Sequence, residues 1–565
     1  MKILNYLKRN IFYVSFLVFV TWAVITFLIY PNINIIFNAF RVDNKFSFEA
    51  LTLIMNSERA MKGLRNSILL AITLSITVNI IGVFIILVTE YFDIKGSKIL
   101  RLGYMTTLIY GGIVLVSGYV FVYGDNGMFT KMMTTIFPSY EASWFKGYLG
   151  VVFVMTFSVT SNHMIFLRNV MKKIDFYSIE ASKNLGASTF KTLWKVVLPI
   201  MKPTIFAVTI LVFLTGLGAF SAPLLVGGRE FETINPLIRA LIYDAPDISI
   251  MLSVILGLLV IGLLILFTKL ESGGTYFSTS KTKGEFKKQK IDNKFVNVIV
   301  HIFAYAIFLI YVLPIVIIVL FSFTDAATIA SGSITWSSFT FANYTEILSN
   351  NQILKPFFNS INFSIIAAVI VVFFVFFIVM LKFKRKNKVT KAIPYLLLIP
   401  WLLPSTVIAM GLITTYNTEN ILVLGNVLIG TTFILIVGYV IVKIPFTYRL
   451  LNAIYYTVDN SYENASKSLG ANNVYTFFRV TLPMVLPTVV ALIVINFNSL
   501  IKDYNLTVFL YHPLNKTLGI DIKNKTDLMA GGDVQTILLI YTVMLMAFSA
   551  FAIYIAYGKL LKRKD

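Results

Sequence analysis

Long apolar runs separated by short polar stretches fill this chain from Ile11 onward. A helix of about 20 mostly apolar residues crosses a bilayer, and twelve runs fit that template. The first six are 11–30, 66–90, 102–121, 148–167, 204–225 and 249–270. The second six are 296–322, 359–381, 392–413, 425–446, 484–505 and 534–557. The run 392–413 is interrupted by Pro400 and Pro404, and 484–505 carries Asn496 and Asn498. Prolines are tolerated inside a span where neighbouring helices satisfy the freed backbone groups. The first run lacks a small-residue cleavage site and reads as a retained helix. The pattern predicts an all-α polytopic membrane protein with about twelve spans.

One polar stretch occurs twice. "ASKNLGASTFKTLWKVVLPIMKPT" at 181–204 and "ASKSLGANNVYTFFRVTLPMVLPT" at 465–488 align without a gap, 284 residues apart, with half their positions identical. Each copy follows the fourth span of its set of six. Asn66-Ser67 and Asn359-Ser360 also open the second span of each set. The chain therefore reads as two repeats, 1–270 and 296–565. The stretch 271–295, rich in Gly, Ser, Thr and then Lys, reads as a flexible cytoplasmic linker between them. An even number of spans per repeat makes the two repeats parallel.

Composition agrees, with 57% hydrophobic and 13% charged residues against about 25% charged in soluble domains. The net charge of +22 would suit nucleic acid, but its distribution speaks for a bilayer. With the N-terminus inside, the cytoplasmic segments are 1–10, 91–101, 168–203, 269–294, 382–391, 443–487 and 558–565. They hold most of the 48 Lys and Arg, the positive-inside pattern. Both termini are then cytoplasmic, and no nucleic-acid partner is expected. The absence of cysteine excludes disulfides, thiolate metal sites and cysteine nucleophiles. His163, His301 and His512 form no cluster with metal-ligand spacing, so no metal site is expected. No span carries Asp, Glu, Lys or Arg well inside its apolar core, which argues against a proton-coupled carrier.

The repeated stretch has its own local grammar. A helix is predicted from about Phe176 to Leu185, ended by Gly186 in the left-handed conformation. Ser188, and Asn472 or Asn473 in the second copy, suit the cap of the next helix. Phe190, Leu193, Trp194 and Val197 form an apolar stripe on it. Pro199 and Pro203, matched by Pro483 and Pro487, mark where the chain turns back into the bilayer. A helix lying on the inner leaflet needs only the stripe. Two matching knobs imply two matching sockets, which a homodimeric or pseudo-symmetric cytoplasmic partner supplies.

These residues resemble the EAA loop of the inner-membrane permeases of binding-protein-dependent ABC importers. In the first copy Glu180, Ala181, Ser182, Gly186, Leu198 and Pro199 take the motif positions. In the second, Ala465, Gly470, Leu482 and Pro483 match, while Asn464 stands at the glutamate position and Glu463 one residue earlier. The resemblance implies a type I importer permease fold, with 168–203 and 447–487 as coupling loops. It implies a homodimeric ATP-binding subunit at the cytoplasmic face, an external solute-binding protein, and residence in the bacterial inner membrane. No stretch here matches G-x-x-x-x-G-K-[ST], so ATP and Mg would belong to the partner and the chain is not itself an enzyme. Permeases with both halves fused serve ferric iron, thiamine and 2-aminoethylphosphonate. "FSAPLLVGG" at 220–228 and "IKDYNLTVFLYHPLNKTLGI" at 501–520 are similar to the ferric-iron subgroup, which makes iron the first expected cargo. A polyamine is a further alternative.

Polar residues following each loop are candidates for the translocation path: Thr215 and Ser221 in the first half, Asn496, Asn498 and Ser499 in the second. Hydrogen bonding between helices is the other use for such groups. Read from its residues alone, the chain also suits a secondary carrier built from 6+6 parallel spans.

Overall fold

The computed structural model describes residues 11–42, 45–139, 142–172, 174–271, 287–332, 334–384, 388–455, 460–527 and 532–555. Helices dominate because no water satisfies backbone groups inside a bilayer, so each segment must bond internally. Among the described residues, ten helices are long and apolar enough to cross a membrane. Two further pairs qualify only when joined. Ser97–Leu108 with Gly112–Ile136 bends by 116°, and Ala392–Leu402 with Ser405–Tyr416 bends by 107°. Each bent pair is the third span of its half, so the predicted runs 102–121 and 392–413 are broken spans.

The breaks have local causes. Pro404 precedes the helix Ser405–Tyr416 and cannot donate to the turn before it. In the first half the break falls at Ile109–Gly111. Gly112 sits at φ +59°, and a Cβ there would lie 2.8 Å from the Lys502 carbonyl oxygen. Only glycine permits that approach. Lys502 in turn donates from Nζ to the Leu108 carbonyl at 2.9 Å, satisfying an oxygen left open by the broken helix.

The halves are interwoven. The first span, Val14–Ala39, packs against the broken third span of the second half. There Asn34 Nδ2 donates to Thr415 Oγ1 at 3.0 Å, and the Phe27 and Tyr416 rings meet at 5.8 Å. Reciprocally, Lys294–Ser322 packs on the broken third span of the first half, where Tyr104 OH donates to the Ala304 carbonyl at 2.7 Å. Each half thus lends its first helix to the other.

The repeat extends well beyond the matching sequence. Asn66 Nδ2 donates to the Glu232 carbonyl at 2.9 Å, and Asn359 Nδ2 to the Lys516 carbonyl at 3.0 Å. Ser67 Oγ accepts from Ile234 N at 2.9 Å, and Ser360 Oγ from Leu518 N at 2.7 Å. Glu232 and Lys516, like Ile234 and Leu518, stand one repeat of 284 apart. The Asn-Ser dipeptide therefore anchors the same turn in both halves.

Two features of the linker differ from the flexible segment predicted at 271–295. Helix Pro246–Glu271 runs into it. At its far end Gln289 bridges to Phe92, with Gln289 N donating to the Tyr91 carbonyl at 2.8 Å and Asp93 N to the Gln289 carbonyl at 2.9 Å. Lys288 Nζ donates to the Thr89 carbonyl and to Ser97 Oγ, both at 2.6 Å. Backbone pairing and these two bonds fix the segment from Lys287 onward. Residues 272–286 of the predicted linker lie outside the described residues.

Candidate coupling loops and translocation path

Both copies of the polar stretch fold into the same hairpin. The first helix is Phe176–Asn184 in one half and Asn460–Ser468 in the other. Gly186 N donates to the Lys183 carbonyl at 2.8 Å and Ala187 N to that of Ser182 at 3.1 Å. Gly470 N and Ala471 N repeat the pair on Lys467 and Ser466, at 3.0 and 3.1 Å. This paired closure requires a left-handed residue, and the glycines stand at φ +80° and +86°. Ser188 Oγ then accepts from Lys191 N, and Asn472 Oδ1 from Tyr475 N, capping the next helix. A hydroxyl pair ties the two arms together, Ser182 with Thr192 and Ser466 with Thr476, each at 3.0 Å.

The predicted turn at the Leu-Pro pair is not there. Thr189–Leu217 runs as one membrane-length helix, passing through a π-helical turn at Leu193–Val197, and Phe477–Thr481 is its counterpart. Pro199 and Pro483 sit in the first α-turn after these wide turns, where the missing N–H is least costly. The stripe also splits. Leu193 and Val197 are buried, while Trp194 and its counterpart Phe478 face outward.

The motif residues occupy equivalent places in the two loops. Glu180 and Ala181 are exposed, as are Asn464 and Ala465. Leu198 and Leu482 are half-buried, and Pro199 and Pro483 exposed. Glu463 does not join Asn464 at the surface. Its Oε1 accepts from Thr481 Oγ1 at 2.8 Å. The matching first-half residues, Ile179 and Val197, are both fully buried in one apolar cluster. Glu463 therefore replaces a core contact and not the surface carboxylate of Glu180. Sequence reading missed one pair. Leu185 and Leu469, just before the glycines, are each 88% exposed. Their identity in the two copies was the available signal.

The path candidates separate into two groups. Thr215 and Ser499, one repeat apart, are both exposed on the helices that follow the loops. Asn496 is buried and donates to Thr447 Oγ1 at 2.8 Å. The carboxamide oxygens of Asn496 and Asn498 are buried and unpartnered among the described residues. Ser221 Oγ donates to Asn505 Oδ1 at 3.2 Å, and the Phe220 and Tyr504 rings meet at 5.7 Å. Ser221 and Asn505 are equivalent positions, as are Phe220 and Tyr504. Equivalent residues touch each other only on a twofold axis, so these four lie on the pseudo-symmetry axis between the halves. The contacts bring out Asn505, Phe220 and Tyr504, and the 284-residue spacing carried past the matched stretch is their signal in the sequence.

A further expectation is overturned. The hydrophobic pattern places Lys443 at the inner end of the run 425–446. It lies in the middle of the helix Thr432–Tyr455, and its Nζ donates to Ser499 Oγ at 2.5 Å. Pro445, Arg449 and Asn452 imitate a span boundary in the sequence, but the helix runs through them. A charge at the centre of a span costs roughly 2.5–3.5 kcal/mol on insertion scales.

Comparison with known proteins settles what this architecture is. Residues 51–270 and 375–563 match the family described as the binding-protein-dependent transport system inner membrane component. The chain belongs to this family. It is the permease subunit of an ABC importer, a multi-span inner-membrane component with both halves fused. The protein named "Probable ABC transporter permease protein y4fN" from Sinorhizobium fredii is 35% identical over 97% of this chain and 96% of its own length. "Putative ferric transport system permease protein FbpB 1" from Haemophilus influenzae is 21% identical over 90% of this permease and 79% of that protein. The "Spermidine/putrescine transport system permease protein PotB" of the same species is 31% identical over 18% of the chain and 35% of its own length. These relatives are transport permeases and not enzymes. The secondary-carrier alternative falls with the family, which works with a solute-binding protein and an ATPase.

Proposed function

We propose that the permease passes ferric iron from an external binding protein to the cytoplasm, driven by two copies of one ATP-binding subunit docked on the two hairpins. The observation that carries the docking reading is the duplicated surface. Glu180 or Asn464, Leu185 or Leu469, and Trp194 or Phe478 are presented by two hairpins closed by the same hydrogen bonds. Two identical frames with similar faces fit a pair of identical sockets. ATP and Mg act on that subunit. Closure of the two subunits would drive the halves to rock about the axis through Phe220–Tyr504 and Ser221–Asn505, a two-state rigid-body change.

The iron reading rests on the similarity to a ferric permease along most of the chain. Cells expressing the permease with its neighbouring transport genes should accumulate radiolabelled ferric iron, and excess thiamine, 2-aminoethylphosphonate or spermidine should not compete. Competition by one of these, with no iron uptake, would assign the cargo to that compound.

A further inference from the structure

Lys443 is eleven residues past Thr432 and twelve before Tyr455. At roughly 1.5 Å per residue it stands about 17 Å from either end of its helix. The nearest charged groups are Lys502 and Asp503, and the Asp503 carboxylate attracts the Lys443 ammonium from beyond ion-pair distance. Lys502 closes the broken span through the Leu108 carbonyl. Asp503 accepts from Leu506 N and Thr507 N, both at 3.2 Å, and from Thr507 Oγ1 at 3.0 Å. Among the described residues no carboxylate comes within ion-pair distance of Lys443. An ammonium has three donors. Ser499 Oγ takes one, and no second acceptor lies in reach among the described residues.

The place of Ser499 gives those free donors a direction. Ser499 and its counterpart Thr215 are exposed. Six residues further on, Ser221 and Asn505 touch each other on the pseudo-symmetry axis. The helices that carry Thr215 and Ser499 end at Leu217 and Leu500, a few residues before that contact, so both exposed hydroxyls lie at the helix ends nearest the axis. Thr447 and Asn496, one turn from Lys443 and Ser499 on the same two helices, form a second polar rung. The position matching Lys443 in the first half is Val159, so this cation has no counterpart in the other half.

We infer that Lys443 is the cargo-facing cation of the translocation path and engages an oxyanion group on the cargo. This inference deepens the permease reading and rests on it. A bare ferric ion is repelled by an ammonium, so iron crosses here with an oxyanion ligand, and a free carboxylate, phosphate or phosphonate solute satisfies the same contact.

The test uses the full-length chain in lipid nanodiscs and a small water-soluble amine reagent, with modification of Lys443 read by peptide mass spectrometry. Lys443 should react from the aqueous phase. Sodium phosphate, sodium citrate or ferric citrate should slow that reaction roughly fivefold when present well above its dissociation constant, without slowing reaction at Lys382. Tetramethylammonium chloride should have no effect. Protection by phosphate or citrate but not by ferric citrate keeps the site and removes iron. Protection by ferric citrate alone places the anion on the metal. An unreactive Lys443, no protection by any of the three, or equal protection by tetramethylammonium chloride overturns the inference. In cells, Lys443→Arg should keep uptake and Lys443→Met should lose at least about nine-tenths of it. Copurification of the ATPase with both variants would show that the fold is intact.

Discussion

Ser182 Oγ and Thr192 Oγ1 lie 3.0 Å apart, and one repeat later Ser466 Oγ and Thr476 Oγ1 lie at the same distance. Each pair joins the two arms of a hairpin whose outer face is solvent-exposed. A neutral hydrogen bond contributes about 1 kcal/mol, so neither bond alone decides the fold. Ser182→Ala or Ser466→Ala should reduce ATP-driven uptake two- to fivefold, roughly what 0.5–1 kcal/mol is worth. The double variant should show the product of the two losses, because the hairpins are separate. Uptake measured in the three variants checks this.

The hairpin glycines allow a cleaner test. A Cβ on Gly186 or Gly470 would meet nothing within 4 Å. The cost of substitution is therefore backbone strain alone, about 1–2 kcal/mol for a residue held left-handed. Gly186→Val or Gly470→Val should lower uptake by about five- to thirtyfold while the protein still inserts. Gly186→Asn should retain most of it, since asparagine tolerates this conformation. Equal loss with Val and Asn would mean that bulk, and not backbone angle, matters at this position.

The two loops are unequal at one point. Glu180 is exposed, Asn464 takes its place in the second loop, and Glu463 bonds Thr481 inside the hairpin. A charge-assisted hydrogen bond to a partner is worth about 1.5–3 kcal/mol, a neutral one nearer 1. Glu180→Gln should thus weaken ATPase binding by about tenfold, and Asn464→Ala by less. Glu463→Ile alone leaves the buried Thr481 hydroxyl without that partner. Joined with Thr481→Val it recreates the Ile179/Val197 pair of the first loop and should recover thermal stability.

Much of this was legible in the sequence. The duplicated stretch, the closing glycines and the capping residues all depend on short-range rules, and both hairpins obey them. What escaped depends on tertiary contacts. The break at Ile109–Gly111 needs Lys502 from the other half to satisfy Leu108. Lys443 could not be placed because Pro445 looks like a boundary, and only packing shows that the helix continues to Tyr455. Asn505 gained meaning only beside Ser221.

Orientation is open to a direct check, because the chain has no cysteine. Ser337 neighbours the 94% exposed Trp336, and Ser178 is exposed on the first hairpin. The Lys and Arg distribution puts Ser337 outside and Ser178 inside. An impermeant thiol reagent added to intact cells should label Ser337→Cys and spare Ser178→Cys. The reverse labelling would invert the topology.

The central claim is that the two hairpins are docking sites for two ATP-binding subunits. Affinity purification of the full-length permease, expressed with its neighbouring transport genes, tests it most directly when the mass of the complex is measured. Two ATP-binding subunits per chain are predicted for the wild type, one for Gly186→Val or Gly470→Val, and none for the double variant. A wild-type permease that binds no ATP-binding subunit, or a double variant that still binds two, would contradict the account.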